Sequence, residues 1–475
     1  MMPGESRSFG PRLYAAVALF FALFTLYGSY VPFRYHDRDF DEAVDSYRSI
    51  LSQGVKPVSR SDWAANVMLG VPLGFCLLGM IRVNRTHRLQ TMMWGIGITF
   101  GCAGFAALVE FGQLFFHGRT CAGSDIMAQA VGALIGVLTW SMFGNWFTDQ
   151  LRNALRNPHL SGGATRILAA YVVLLAAVQW LPLDLTASPH TLYKRLRDNT
   201  TWNPFGELIH SPVKPLVNEW EKIGAWCELF MLAVPVGLLL APAFRSRART
   251  GTVILGSIAL GSLSELGQVF VQSRHPSMTD VIIIAGAVLL SWKLSVHLGT
   301  QQARKFRYEW LLALTQFWFL LMAIMHWQPF EFRPLMLDQN WQHVSWMPLS
   351  GQSEKNYLWA LNEVLTKFLI FTPMGALVVW TARHPENRQT VLLAAGIVAG
   401  FATILEIGQL CTPTRYASPT DVLFGLVGGW IGGEIVRRMM VGHLHIVVST
   451  QQEPWWTKDP TRVGIGANVM ESRPL

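Results

Sequence analysis

Three stretches of this chain repeat one set of ionisable and hydrogen-bonding side chains at one spacing. EFGQLFFHGRTCAGSD begins at Glu110, ELGQVFVQSRHPSMTD at Glu265 and EIGQLCTPTRYASPTD at Glu406, and they align without gaps. Each places a glycine two residues after the glutamate, then Gln113, Gln268 or Gln409, then Arg119, Arg274 or Arg415, then Ser or Thr followed by Asp125, Asp280 or Asp421. Two kinds of chemistry fit this set. A guanidinium beside an amide and a helix N-terminus can bind a phosphate or carboxylate, with the glutamate orienting the arginine. The same residues can instead act as a staple. Ser124, Thr279 and Thr420 suit N-caps, the aspartates suit the positive end of a helix dipole, and the arginine can pair with a carboxylate across the hairpin.

Other polar residues break the repeat. Six positions before a proline the copies carry Asn66, Leu229 and Lys367. Glu363 stands one turn before Lys367, ordered so that the two can neutralise each other. Glu228 has no partner in its own helix, which makes it the leading candidate for a site unique to one copy. No phosphate loop, catalytic Ser or Cys, or metal-ligand spacing accompanies these residues. His443 and His445 form the one close His pair, and the sequence implies no metal and no cofactor. An enzyme using Asp or Glu as a base is not excluded, but non-catalytic binding is the favoured reading.

The elements that hold these side chains are set by composition. Of 475 residues 51% are apolar and only 14% charged, against roughly 25% charge in a soluble domain. The apolar half suffices for about twelve helices of the roughly 20 residues a bilayer requires. A soluble enzyme, a secreted disulfide scaffold and a disordered chain are excluded. The formal charge of +8 is scattered in short clusters with no basic stripe, so nucleic acid is not a partner. Five unpaired cysteines lie in or near apolar runs.

Upstream of each glutamate lies a proline-glycine helix centre, Pro72 and Gly74, Pro235 and Gly237, Pro373 and Gly375. Further upstream an apolar run ends in VPF, LPL or QPF, at Pro32, Pro182 and Pro329. The expectation is an all-α, polytopic integral membrane bundle of about twelve helices in three four-helix units. These are residues 1–150, 151–300 and 301–442, with a cytoplasmic tail over 443–475. The helices are expected near 13–32, 63–81, 91–116 and 124–144; 165–185, 220–241, 251–272 and 279–298; and 308–329, 358–380, 390–411 and 420–440. Leu13 to Val31 reads as an uncleaved first helix. Basic residues such as Arg82, Arg85, Arg152, Arg156, Arg245 and Arg304 occupy alternate connections, which places both termini in the cytoplasm. The loops 33–62, 186–219 and 330–357, and the polar columns beside them, then face outward. Trp63, Trp202, Trp341 and Trp346 fall where an aromatic belt would lie.

The E-x-x-Q-x5-R-x5-D hairpins, with the preceding P-x-G helix, resemble the VanZ-like family of membrane proteins across most of the chain, as three consecutive units. The first copy is the most similar, through Asn66 ahead of Pro72. The family's asparagine four residues after the aspartate is replaced by Gln129, Ile284 and Gly425. The resemblance implies a bacterial cytoplasmic-membrane protein linked to glycopeptide (teicoplanin) resistance or to envelope polysaccharide systems. It implies membrane lipids or a lipid-linked glycan as ligands, and envelope-biosynthesis proteins as possible partners. A transporter, with Glu228 and Lys367 lining its path, and a membrane-embedded transferase or hydrolase are the alternatives.

Overall fold

The computed structural model describes residues 5–31, 33–52, 60–85, 87–156, 161–184, 186, 188–197, 202–205, 217–244, 250–298, 307–333, 344, 357–412 and 415–451. Among them the chain is helical, with a single isolated β-bridge between Tyr35 and Phe116. The helices are α1 (Glu5–Tyr30), α2 (Phe40–Ser52), α3 (Arg60–Arg82), α4 (Arg88–Gln113), α5 (Gly123–Arg156), α6 (Ser161–Trp180), α7 (Pro189–Arg197), α8 (Val217–Phe244), α9 (Thr250–Gln268), α10 (Met278–Leu298), α11 (Arg307–Trp327), α12 (Tyr357–Thr381), α13 (Arg388–Leu410) and α14 (Pro419–Gln451). Trp341, Trp346, Arg245, Arg304 and the tail beyond Gln451 lie outside the described residues, as do the side chains of His443 and His445.

All twelve expected apolar segments are helical. Eight of these helices, α1, α3, α4, α5, α8, α10, α12 and α13, are long and apolar enough to cross a membrane. Apolar parts of α6 and α11, Thr165–Trp180 and Leu312–Trp327, are shorter. Of the twelve expected spans, these eight are supported by length and composition among the described residues. Helix α9 has only 19 residues, close to the minimum for a bilayer. Helix α14 carries Glu434 bonded to both Arg437 (2.6 Å) and Arg438 (2.7 Å), a charge cluster that interrupts its apolar run. The exposed face of α4 presents Leu89, Met92, Ile96, Phe100 and Leu108. A surface this apolar is stable in lipid and costly in water, and the chain is an integral membrane protein.

The P-x-G motif is explained by packing. A methyl on Gly74 would strike the Ala133 backbone of α5, one on Gly237 would strike Ser291 and Val288 of α10, and one on Gly375 would strike Gly429 of α14. In each set the second and fourth helices therefore cross with backbones nearly touching, as small residues permit. One buried cluster, including Tyr14, Leu78, Cys102, Ala133 and Trp140, lies among α1, α3, α4 and α5. A larger one runs without a break from Leu168 on α6 through Met231, Ile284 and Met322 to Phe371 and Phe424. Ala65, Leu181 and Leu358 join the first set to the rest.

Two of the expected outer loops hold helices instead. Helices α2 and α7 are short and amphipathic, so their sequences show one apolar stripe that composition alone hides. Tyr47 of α2 donates its hydroxyl to Ala107 O of α4 (3.0 Å) and stacks edge-on against Phe111. Arg195 of α7 donates to Val269 O (3.1 Å), to Val271 O (2.6 Å) and to Gln272 O, closing the carbonyl end of α9.

Candidate functional site: three glutamate-tied hairpins

The glutamates terminate α4, α9 and α13 and are almost fully buried. Each reaches across its hairpin to one backbone amide twelve residues on. Glu110 Oε2 accepts from Ala122 N (2.9 Å), Glu265 Oε2 from Ser277 N (2.9 Å) and Glu406 Oε2 from Ser418 N (2.5 Å). That amide lies just before the next helix, where N–H groups have no intrahelical partner. The glutamate thus acts as a remote cap that folds one helix back on the next.

The glutamines turn inward as well. Gln113 donates to Glu110 Oε2 (3.2 Å) and Thr120 O (3.0 Å), and Gln409 to Glu406 Oε2 (3.1 Å) and Tyr416 O (3.0 Å). Gln268 donates to Glu265 Oε1 (3.2 Å). The glutamines, expected to donate to an anion beside the arginine, here donate to their own glutamates. The motif glycines have an equally local cause. A methyl on Gly112, Gly267 or Gly408 would collide with Tyr30, Trp180 or Trp327. Those aromatics close the preceding apolar helix and donate to Val109 O (3.3 Å), Ser264 O (3.0 Å) and Leu405 O (2.9 Å). The three aromatics stand two residues before Pro32, Pro182 and Pro329, a repeated signal in the sequence that motif reading passed over.

The arginines bind the last carbonyls of that same helix. Arg119 donates to Val31 O, Arg274 Nε to Leu181 O (3.0 Å) and Arg415 Nε to Gln328 O (2.8 Å). A charge-assisted bond here sits at the negative end of a helix dipole. Among the described residues none of the three forms an ion pair with its glutamate, whose carboxylate is bonded to the hairpin backbone. Residues 33, 183 and 330 follow the prolines with φ of 57°, 58° and 66°. This left-handed step turns the chain to pair with the hairpin, His36 N to Phe115 O (2.8 Å), Thr186 N to Phe270 O (2.8 Å) and Arg333 N to Cys411 O (2.7 Å).

The copies differ around these ties. In the first, Gln129 donates to Asn66 Oδ1 (3.1 Å), so the glutamine standing in for the family asparagine is bonded to the helix it faces. Asp125 accepts from Ser124 (3.3 Å). Burial among Glu110 and Asp125 pushes the Cys121 thiol up to about 12. In the second, the Arg274 guanidinium also reaches Asn362 Oδ1 (2.9 Å) and lies 5.9 Å from the Trp359 ring, both on α12. Burial pulls its pKa down, opposed by Glu228, Asp184, Glu265 and Asp280. Glu228 lies in the field of Arg274, Glu363 and Lys367, all outside its own helix. In the third, Lys367 donates to Glu363 (2.7 Å) and to Asp421 (2.6 Å). Ligand atoms of His326, Glu406 and Asp421 lie within 4.8 Å of one another. This cluster was not anticipated from spacing, because His326 sits 80 residues before Glu406 in the chain.

These features define a class: a helical integral membrane protein whose antiparallel hairpins are each locked by a buried glutamate and clasped by an arginine. The VanZ/LLP1 family model matches residues 13–144 and again residues 304–440, more than half of the chain, and the chain belongs to that family. The match leaves out the stretch that carries Glu265, Gln268, Arg274 and Asp280. Comparison with curated proteins and with solved structures gave no match.

Proposed function

We propose that the chain recognises an anionic lipid head group, or the phosphate of a lipid-linked glycan, at the outer leaflet of the bacterial cytoplasmic membrane. Arg119, Arg274 and Arg415 are the contacting residues, presented by three consecutive VanZ-like units with both chain termini cytoplasmic. The observation that carries this reading is the partial commitment of two of the guanidiniums. Arg119 and Arg415 remain half-exposed at the hairpin end of the bundle, each with one donor bonded to a helix carbonyl. Of the five N–H donors of an arginine, most are left to face an anion. Arg274, held on three sides, is the weakest of the three contacts. The middle stretch is the third unit in this proposal because its glutamate and arginine make the same kind of bonds, and its glycine the same close approach to an aromatic ring, as in the matched copies. A binder at the outer face is in keeping with the family's link to glycopeptide resistance.

Native mass spectrometry of co-purifying lipids tests it, with Arg119→Ala, Arg274→Ala and Arg415→Ala beside the wild type. Loss of one anionic lipid from a variant that still elutes as a folded species, with at least about tenfold weaker rebinding (about 1.4 kcal/mol), supports recognition and identifies the working unit. Unchanged lipids with lower stability would leave the arginines as clasps alone. That second reading is favoured by their bonds to the helix carbonyls, which are worth roughly 1.5–3 kcal/mol each when charged.

A further inference from the structure

The third hairpin holds a grouping that the other two lack. The glutamate and aspartate of every copy approach one another, but among the described residues only here does an imidazole join them. His326 stands three residues before Pro329. The residues three before Pro32 and Pro182 are Ser29 and Gln179, both buried. We propose that His326, Glu406 and Asp421 bind a divalent first-row transition metal ion, of the Zn²⁺ or Mn²⁺ type.

Three observations carry this. First, His326 Nδ1 lies 2.9 Å from Met322 O. A carbonyl can only accept, so Nδ1 holds the proton and Nε2 keeps a free lone pair. Metal-binding histidines have their non-ligating nitrogen fixed in this way, by a backbone carbonyl. Second, Glu406 is 7% exposed and its Oε1 finds no hydrogen-bond donor among the described residues. Oε2 is taken by Ser418 N and Gln409, while the carboxyl faces Asp421. Two buried carboxylates facing each other require a cation or a shared proton. Third, the charges favour a doubly charged ion. With an ion bound, the ligand carboxyls of Glu406 and Asp421 are deprotonated and, with Glu363, carry three negative charges against the single ammonium of Lys367. One divalent cation balances the remaining two negative charges.

Lys367 does not displace the ion in this arrangement. It bonds Asp421 Oδ1 and Glu363 Oε1, so Asp421 Oδ2 is left for the metal. One imidazole nitrogen and two carboxylate oxygens suit a borderline ion such as Zn²⁺ and leave a fourth position open. Ligand atoms around such an ion stand about 3.5 Å apart for bonds of about 2.0–2.2 Å. The present 4.8 Å closes by side-chain rotation of about 1 Å.

The test uses the full chain in detergent, stripped with a chelator and equilibrated with Zn²⁺ or with Co²⁺. One ion per chain by elemental mass spectrometry, a Co²⁺ ligand-field spectrum of low-symmetry type, and a Zn²⁺-dependent rise in unfolding temperature are expected. His326→Gln, which installs the side chain of the second copy, and Glu406→Gln, which keeps the acceptor for Ser418 N, should each weaken binding at least about tenfold. Three results would overturn the site: no ion retained by the wild type, unchanged affinity in His326→Gln, or loss of the ion only when His443 and His445 are both replaced by Ala. A proton shared by Glu406 and Asp421 would then account for the facing carboxylates. Should His326→Gln fail to fold, the wild-type Co²⁺ spectrum decides by its presence or absence.

Discussion

A carboxylate buried in a membrane protein is costly, roughly 2.5–3.5 kcal/mol at the bilayer centre on insertion scales, and Glu110, Glu265 and Glu406 offset that cost in one way. Each accepts a backbone N–H that would otherwise be orphaned. Because an amide oxygen can replace the carboxylate oxygen as acceptor, Glu265→Gln should lose less stability than Glu265→Ala. The alanine variant leaves Ser277 N–H unsatisfied, at about 1–3 kcal/mol; unfolding of both in detergent gives the comparison. Cys121 provides a second check on how closed the first hairpin is. With its thiol pushed up to about 12, it stays protonated at pH 8 and should react with iodoacetamide far more slowly than a free thiol of pKa about 8.5. Fast labelling at pH 8 would mean that the hairpin opens.

At the scale of elements, glycines separate positions that need closeness from positions that do not. Gly237→Ala and Gly375→Ala force apart helices whose backbones touch, and each should destabilise by about 1–3 kcal/mol. Gly97 and Gly101 on α4 face open space. Alanine there should be neutral or stabilise by up to about 1 kcal/mol through helix propensity. Equal losses at all four positions would show that the crossing geometry is wrong. Helix α7 carries a further dependence, since Arg195 closes three carbonyls after α9. Its removal should loosen the second hairpin before the first, visible as earlier hydrogen exchange around 265–280.

For the whole molecule, the buried clusters are unequal. The first four-helix set has its own, while the other two share a single one from Leu168 to Phe424. Residues 1–156 expressed alone should therefore form a protease-resistant unit in detergent. A fragment beginning at 301 should not, because it exposes Met322, Phe371 and Leu369, which share one buried cluster with residues of α6 and α8. The Arg274 contacts with Asn362 and Trp359 cross the same boundary and make the hairpin of the second copy depend on the third.

Much of this was readable without coordinates. The repeat, the twelve apolar helical segments and the placing of each glutamate in the third helix of its set follow from residue types recurring at fixed spacing. They also follow from the rule that backbone polar groups in lipid must be satisfied within a helix. Local periodicity reaches that far because a helix is a local object. What the side chains bond to was decided only by folding. Arg119 meets Val31, Arg274 meets Leu181 and Asn362, Arg415 meets Gln328, and His326 comes to Glu406 and Asp421, all pairings between residues about 80 to 95 positions apart. No periodicity carries across such distances, since helix crossings set by glycine contacts determine which faces meet. Residue types and spacing therefore specify a repeated membrane-helix scaffold with one glutamate in the third helix of each copy. Only the tertiary structure turned those carboxylates into hairpin ties, the arginines into helix clasps, and one hairpin of the three into a cluster with imidazole.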